Sequence, residues 1–158
     1  MMKLEEFREF DKLKTKVLKY ALYKKRTEYE IRQKFSNEDK ELFENVIQNL
    51  KEYGYINDNE YIHRAVSEFM ALKNLSLKEV KYKLYTKGID KNILEDYFSA
   101  NTDELVEYEI KSVQNIFLKK INLMEKQEII EYLLKKGYNM GNINNALENI
   151  GEQEWTIF

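Results

Sequence analysis

Residues Ser76–Asp90 read SLKEVKYKLYTKGID, and the reading of this stretch decides the fold. Ser76 and Glu79 have the spacing of a capping box. The hydroxyl accepts a bond from an amide of the new first turn, and the carboxylate reaches back to the amide of the capping residue. Leu77, Val80 and Leu84 then fall on one face at steps of three and four. Gly88 supplies the left-handed backbone that commonly ends a helix. The stretch is a short amphipathic helix with both ends marked.

The same marks return at a fixed distance. Glu79-Val80 is preceded 49 residues earlier by Glu30-Ile31 and followed 49 later by Glu128-Ile129; Leu84 aligns with Phe35 and Leu133, and Gly88 with Gly137. Columns in phase at one period point to a supersecondary unit used three times.

Each unit reads as three helices. In the first, Phe10, Leu13, Val17, Leu18, Ala21 and Leu22 share a face. Thr27-Glu28-Tyr29-Glu30 is a capping box that opens a helix burying Ile31 and Phe35. Leu42, Val46, Ile47 and Leu50 form a third helix, which stops near Gly54. In the second unit, Asn57-Asp58-Asn59-Glu60 opens a helix burying Ile62, Ala65, Val66, Phe69 and Met70. Ile93, Leu94, Tyr97 and Phe98 mark the helix after Gly88. In the third, Asn101-Thr102-Asp103-Glu104 caps a long helix with Val106, Ile110, Val113, Phe117 and Ile121 on one face. Ile129, Ile130, Leu133 and Leu134 form the next helix, and Ile143, Ala146, Leu147 and Ile150 the last. No alternating strand pattern is sustained, and no Asn-Gly or Asp-Gly turn occurs.

Units this small bury enough surface only by stacking. The predicted fold is therefore all-α: three tandem three-helix repeats, residues 1–56, 57–100 and 101–150, forming an elongated curved molecule. Residues 151–158 are read as a C-terminal tail whose Trp155 packs on the last unit or meets a partner.

The chain has 158 residues, one domain's worth, with no cysteine, no proline and five glycines. Disulfides and thiolate metal sites are excluded. No apolar run approaches the ~18–20 residues of a membrane span. The N-terminus turns acidic at Glu5-Glu6 without a signal-peptide apolar region, so a cytoplasmic protein with no membrane contact is expected.

Nucleophilic catalysis needs a base beside the nucleophile, and His63 is the only histidine; it reads as a surface or boundary residue. The glycines build no phosphate loop, and the carboxylates sit at caps and on polar faces. No catalytic residue, no cofactor and no metal is expected, and the chain reads as a non-enzyme.

Charge supplies the remaining signal. The net charge is −2, but residues 12–35 carry nine bases and two acids, and residues 73–91 six bases and two acids. Residues 37–60 and 92–110 are acidic. Such alternation can be solvated helix surface. It can also be a binding face, because separating like charges into stripes costs self-repulsion that an oppositely charged partner relieves. The candidate contacts are Lys24, Lys25, Arg26, Arg32 and Lys34 in the first unit, and Lys78, Lys81, Tyr82, Lys83, Tyr85 and Lys87 in the second. Bases interleaved with aromatics hold phosphates or nucleobases, or an acidic protein groove.

Three stretches carry a resemblance. Gly54 to Tyr61 followed by Ser76 to Asp90 resembles the signature repeat of the RecX family. Tyr20 through Ile31 resembles its first repeat, and Glu128 through Tyr138 its third. The resemblance runs from about Leu18 to Ile150. It implies a monomeric, non-enzymatic regulator that binds the groove of the RecA recombinase filament on single-stranded DNA. It further implies modulation, chiefly inhibition, of strand exchange, ATP hydrolysis and the coprotease action of the SOS response. Lysines stand here for most of the arginines typical of the repeats, and lysine does not copy a bidentate arginine contact. Any direct DNA contact is expected to be weak. The alternatives are a stand-alone nucleic-acid-binding helical module and an α-helical protein-interaction scaffold.

Overall fold

The computed structural model describes residues 3–72 and 74–154. Its elements are α1 (Leu4–Tyr23), α2 (Glu28–Lys34), α3 (Lys40–Glu52), α4 (Asp58–Leu72), α5 (Leu77–Thr86), α6 (Lys91–Ala100), α7 (Thr102–Lys120), α8 (Lys126–Lys136) and α9 (Met140–Glu154). The protein is all-α, with no strand among the described residues.

There is no single central core. Leu13, Val17, Ile31, Phe43, Val46, Ile47, Leu50 and Ile56 cluster between α1, α2 and α3. Ile62, Val66, Val80, Leu84, Ile89 and Leu94 cluster between α4, α5 and α6, and Leu105 of α7 joins them. Val113, Ile116, Phe117, Ile129, Leu133, Ile143, Ala146 and Leu147 belong to a third cluster between α7, α8 and α9. Each fully buried aliphatic side chain contributes about 1.5–3 kcal/mol. Leu22, assigned to the buried face of the first helix, is instead 62% exposed. It lies in the last turn of α1, one position off the stripe that Leu13, Val17 and Ala21 turn toward the first cluster.

The capping boxes at Thr27 and Ser76 form as read. Thr27 Oγ1 accepts from the Glu30 amide at 3.1 Å, and Glu30 Oε1 accepts from the Thr27 amide at 3.0 Å. Ser76 and Glu79 repeat both bonds at 3.1 and 3.0 Å. The box expected at Asn101 does not form. The Asn101 side chain donates instead to the carbonyl of Tyr97, which also accepts from the Asn101 backbone amide, so it closes α6 rather than opening α7. Gly54, Gly88 and Gly137 all have positive φ.

α7 also departs from expectation. Its buried stripe is Leu105, Tyr108, Glu109, Ser112, Val113, Ile116 and Phe117, whereas Val106, Ile110 and Ile121 are only half-buried. The helix serves two neighbours at once, so part of its buried face is polar. α9 runs to Glu154, past the Gly151 at which the tail was placed. Trp155 and the residues after it lie outside those described.

Candidate interaction surface

The middle helices of the three groups meet end to end. Thr27 caps α2, and its hydroxyl donates to the carbonyl of Lys87, which closes α5, at 2.7 Å. Ser76 caps α5, and its hydroxyl donates to the carbonyl of Lys136, the last residue of α8, at 2.8 Å. The C-terminal end of α8 thus abuts the N-terminal end of α5, and the C-terminal end of α5 abuts α2. Partial charges of opposite sign adjoin at both joints.

Each joint has a second bond. The Glu28 amide donates to Asp58 Oδ1 at 2.9 Å, and the Leu77 amide donates to Glu109 Oε2 at 2.7 Å. With the box bonds, this satisfies three of the four orphan amides at the start of α2 and of α5. Each joint also has a glycine under a side chain. A Cβ on Gly88 would collide with the Tyr29 ring, and one on Gly137 would press on the stem of Lys78 at 3.0 Å.

The second joint is the more polar. Glu109, 1% exposed, also accepts from the Asn139 amide at 2.8 Å and from Asn142 Nδ2 at 3.2 Å. Tyr108 Oη donates to the carbonyl of Leu75 at 2.7 Å and accepts from its amide at 2.9 Å. Ser112 Oγ and Tyr138 Oη are 2.6 Å apart, and burial pushes the Tyr138 hydroxyl well above the ordinary range. These residues carried no signal in a hydrophobic pattern, and only the joint explains their burial.

The candidate side chains divide into two kinds. Some are committed within the fold. Arg32 donates from Nε to Glu28 at 2.9 Å and makes a bidentate pair with Glu44 at 2.8 and 2.7 Å, clasping α2 to α3. Burial alone would raise the Glu28 carboxyl, but hydrogen bonds from Arg32 and Lys51 outweigh it and hold it below the usual range. The Arg26 guanidinium sits over the Tyr20 ring, 3.6 Å from its centre, and donates to the Tyr20 carbonyl at 2.8 Å. Lys81 is half-buried, 3.8 Å from Glu95 and over the Phe98 ring at 4.9 Å. Lys25 stands 3.6 Å from Glu60, and Lys34 is 5.7 Å from the centre of the Tyr20 ring.

The others face solvent. Lys24, Lys78, Lys83 and Lys87 are exposed and make no ion pair among the described residues. Tyr82 and Tyr85 beside them are 68% and 60% exposed. The structure adds Lys135 and Lys136 of α8, which line one groove with Lys78 and Lys83. The 49-residue period could have found Lys136, the counterpart of Lys87, but not Lys135, whose counterpart is Thr86. His63 is exposed on α4, its Nδ1 3.5 Å from Tyr97 Oη. No group of three histidine or carboxylate side chains placed to hold a metal occurs among the described residues. No helix among them is long and apolar enough to cross a membrane.

No family model matches the chain. The regulatory protein RecX of Clostridium perfringens is 28% identical, over 93% of this chain and 72% of that protein. The regulatory protein RecX of Finegoldia magna is 32% identical, over 77% of this chain and 63% of that protein. The crystal structure of RecX from Lactobacillus salivarius superposes with a TM-score of 0.75 at 25% identity, covering 90% of this chain and 96% of that one. The chain belongs to the RecX family. A further RecX crystal structure shares the fold at a TM-score of 0.71 and 22% identity. A regulatory role follows from the family.

Proposed function

We propose that this RecX-family chain is a non-enzymatic cytoplasmic regulator that binds the RecA filament on single-stranded DNA. Binding restrains the recombinase and, with it, the coprotease activity of the SOS response. One observation carries the reading. In a chain with 28 acids and 26 bases, Lys78, Lys83 and Lys87 stand exposed on α5 without an ion pair among the described residues, beside two exposed tyrosines. Cations left unpaired where acids are plentiful suit a partner of opposite sign. In this reading residues 1–56, 57–100 and 101–150 act as three units in a row.

The exposed Tyr82 and Tyr85 favour a second reading, a stand-alone nucleic-acid-binding module in which bases stack on the rings. Co-sedimentation separates the two. Preassembled RecA filaments on single-stranded DNA should carry the protein into the pellet while the naked strand leaves it in solution. Equal binding to the naked strand would support the second reading. No binding to either would leave an interaction scaffold for another protein.

A further inference from the structure

Where α5 meets α8, a groove of about 570 Å³ opens, lined by Lys78, Tyr82, Lys83, Leu134, Lys135 and Lys136. Its one lining carboxylate, Glu79, is turned back on the Ser76 amide at 3.0 Å. Leu134 is 44% exposed and Tyr82 68%. We infer that this groove takes an acidic protein segment bearing an apolar side chain, with the lysines around the segment's carboxylates and Leu134 and Tyr82 under its apolar group. The inference deepens the filament reading by naming what is gripped, and it rests on that reading for the segment's source.

Three observations favour an acidic protein over a nucleic-acid strand. Three of the four amides at the start of α5, which would otherwise form an anion cradle, are occupied. Ser76 bonds Glu79, Leu77 bonds Glu109, and Glu79 bonds the Ser76 hydroxyl. The cations are all ammonium groups, with no guanidinium to grip a phosphate as a fork. The half-exposed Leu134 lies among them, and its methyls are matched by an apolar side chain rather than by a sugar–phosphate chain. The groove also spans a joint, so an occupant touches both the second and the third group of helices.

The probe is a fluorescein-labelled acidic octapeptide with a central Leu-Phe pair, followed by anisotropy, with oligothymidylate as competitor. The peptide should bind the parent protein. Lys135→Glu with Lys136→Glu, and separately Leu134→Asn, should each weaken it by at least about tenfold. Lys78→Gln with Lys135→Gln removes charge without reversing it and guards against misfolding, with thermal melts run on every variant. If oligothymidylate binds through the same lysines and Leu134→Asn leaves it unaffected, the groove is a phosphate site and the inference fails. It fails equally if the peptide does not bind. The assay contains no recombinase, so peptide binding without filament co-sedimentation would support the groove and sink only the filament reading.

Discussion

The hydroxyl of Ser76 lies 2.8 Å from the carbonyl oxygen of Lys136, sixty residues further along the chain. Thr27 and Lys87 repeat the relation at 2.7 Å and the same separation. One oxygen in each case accepts from its own helix and donates to another, so a single atom serves both cap and joint.

Removing that oxygen should therefore cost more than an ordinary cap. Thr27 and Ser76 are 0% exposed, so water cannot replace the lost partner. Thr27→Val and Ser76→Ala should each destabilise by about 1–3 kcal/mol, the cost of lost capping plus buried groups left unsatisfied. Thr27→Ser keeps the hydroxyl and should recover most of the loss in urea unfolding.

Leu84, 1% exposed, fills the middle cluster beside Val80. Leu84→Ala should cost about 2–5 kcal/mol through lost burial and the cavity left behind. A measured loss under about half a kcal/mol would contradict its packing.

Two glycines test backbone against contact. Gly54 has φ +78 with nothing within 4 Å of an added Cβ, whereas Gly88 has φ +83 with the Tyr29 ring in the way. Gly54→Ala should cost only the left-handed penalty, roughly 1–2 kcal/mol. Gly88→Ala should cost clearly more, because Tyr29 must move and the first joint must open. Similar midpoints for the two variants would show that Tyr29 gives way freely.

The two carboxyls at the first joint should titrate with opposite effect. Burial lifts Asp58 above its ordinary range, although the Glu28 amide bond pulls the other way. Its contribution is fully present below the unfolded pKa and is lost as pH rises through the folded one. Glu28 is held low by Arg32 and Lys51, so its contribution is present above the unfolded pKa and lost as pH falls through the folded one. Asp58→Asn should gain on the parent as pH rises from about 3 to about 7, whereas Glu28→Gln should lose ground over the same range. Urea midpoints at the two ends check both signs.

Charge reversal tests the surface. Lys78→Glu with Lys83→Glu should weaken filament co-sedimentation by about tenfold and leave the melting temperature nearly unchanged, since exposed charges contribute little to folding. Reversing Lys81 should also lower stability, because Lys81 meets Glu95 and Phe98. Inhibition undiminished in the Lys78/Lys83 variant would reduce this face to solvated helix surface.

Much of the fold was legible because its signals are local. The boxes at Thr27 and Ser76, the glycine stops and the faces led by Val80 and Ile143 depend on neighbours within one or two turns. Glu109 and Ser112 were not legible. Their burial depends on an amide at Leu77 and a hydroxyl at Tyr138 that hydrophobic spacing does not register. The candidate surface was legible by charge and not by commitment. Arg32 and Lys83 both read as free bases, and only the geometry shows Glu28 and Glu44 holding the first.

The direction of the joints bears on synthesis. Every partner from another helix group that completes the start of α2 or α5 lies later in the chain: Asp58 and Lys87 for α2, Glu109 and Lys136 for α5. A nascent chain emerging N-terminal end first can collapse its first three helices early, yet the start of α2 stays unsealed until Lys87 leaves the ribosome. The second group waits in the same way for Lys136. Translation would then lock the molecule in a ratchet, each stretch fastening the one made before it.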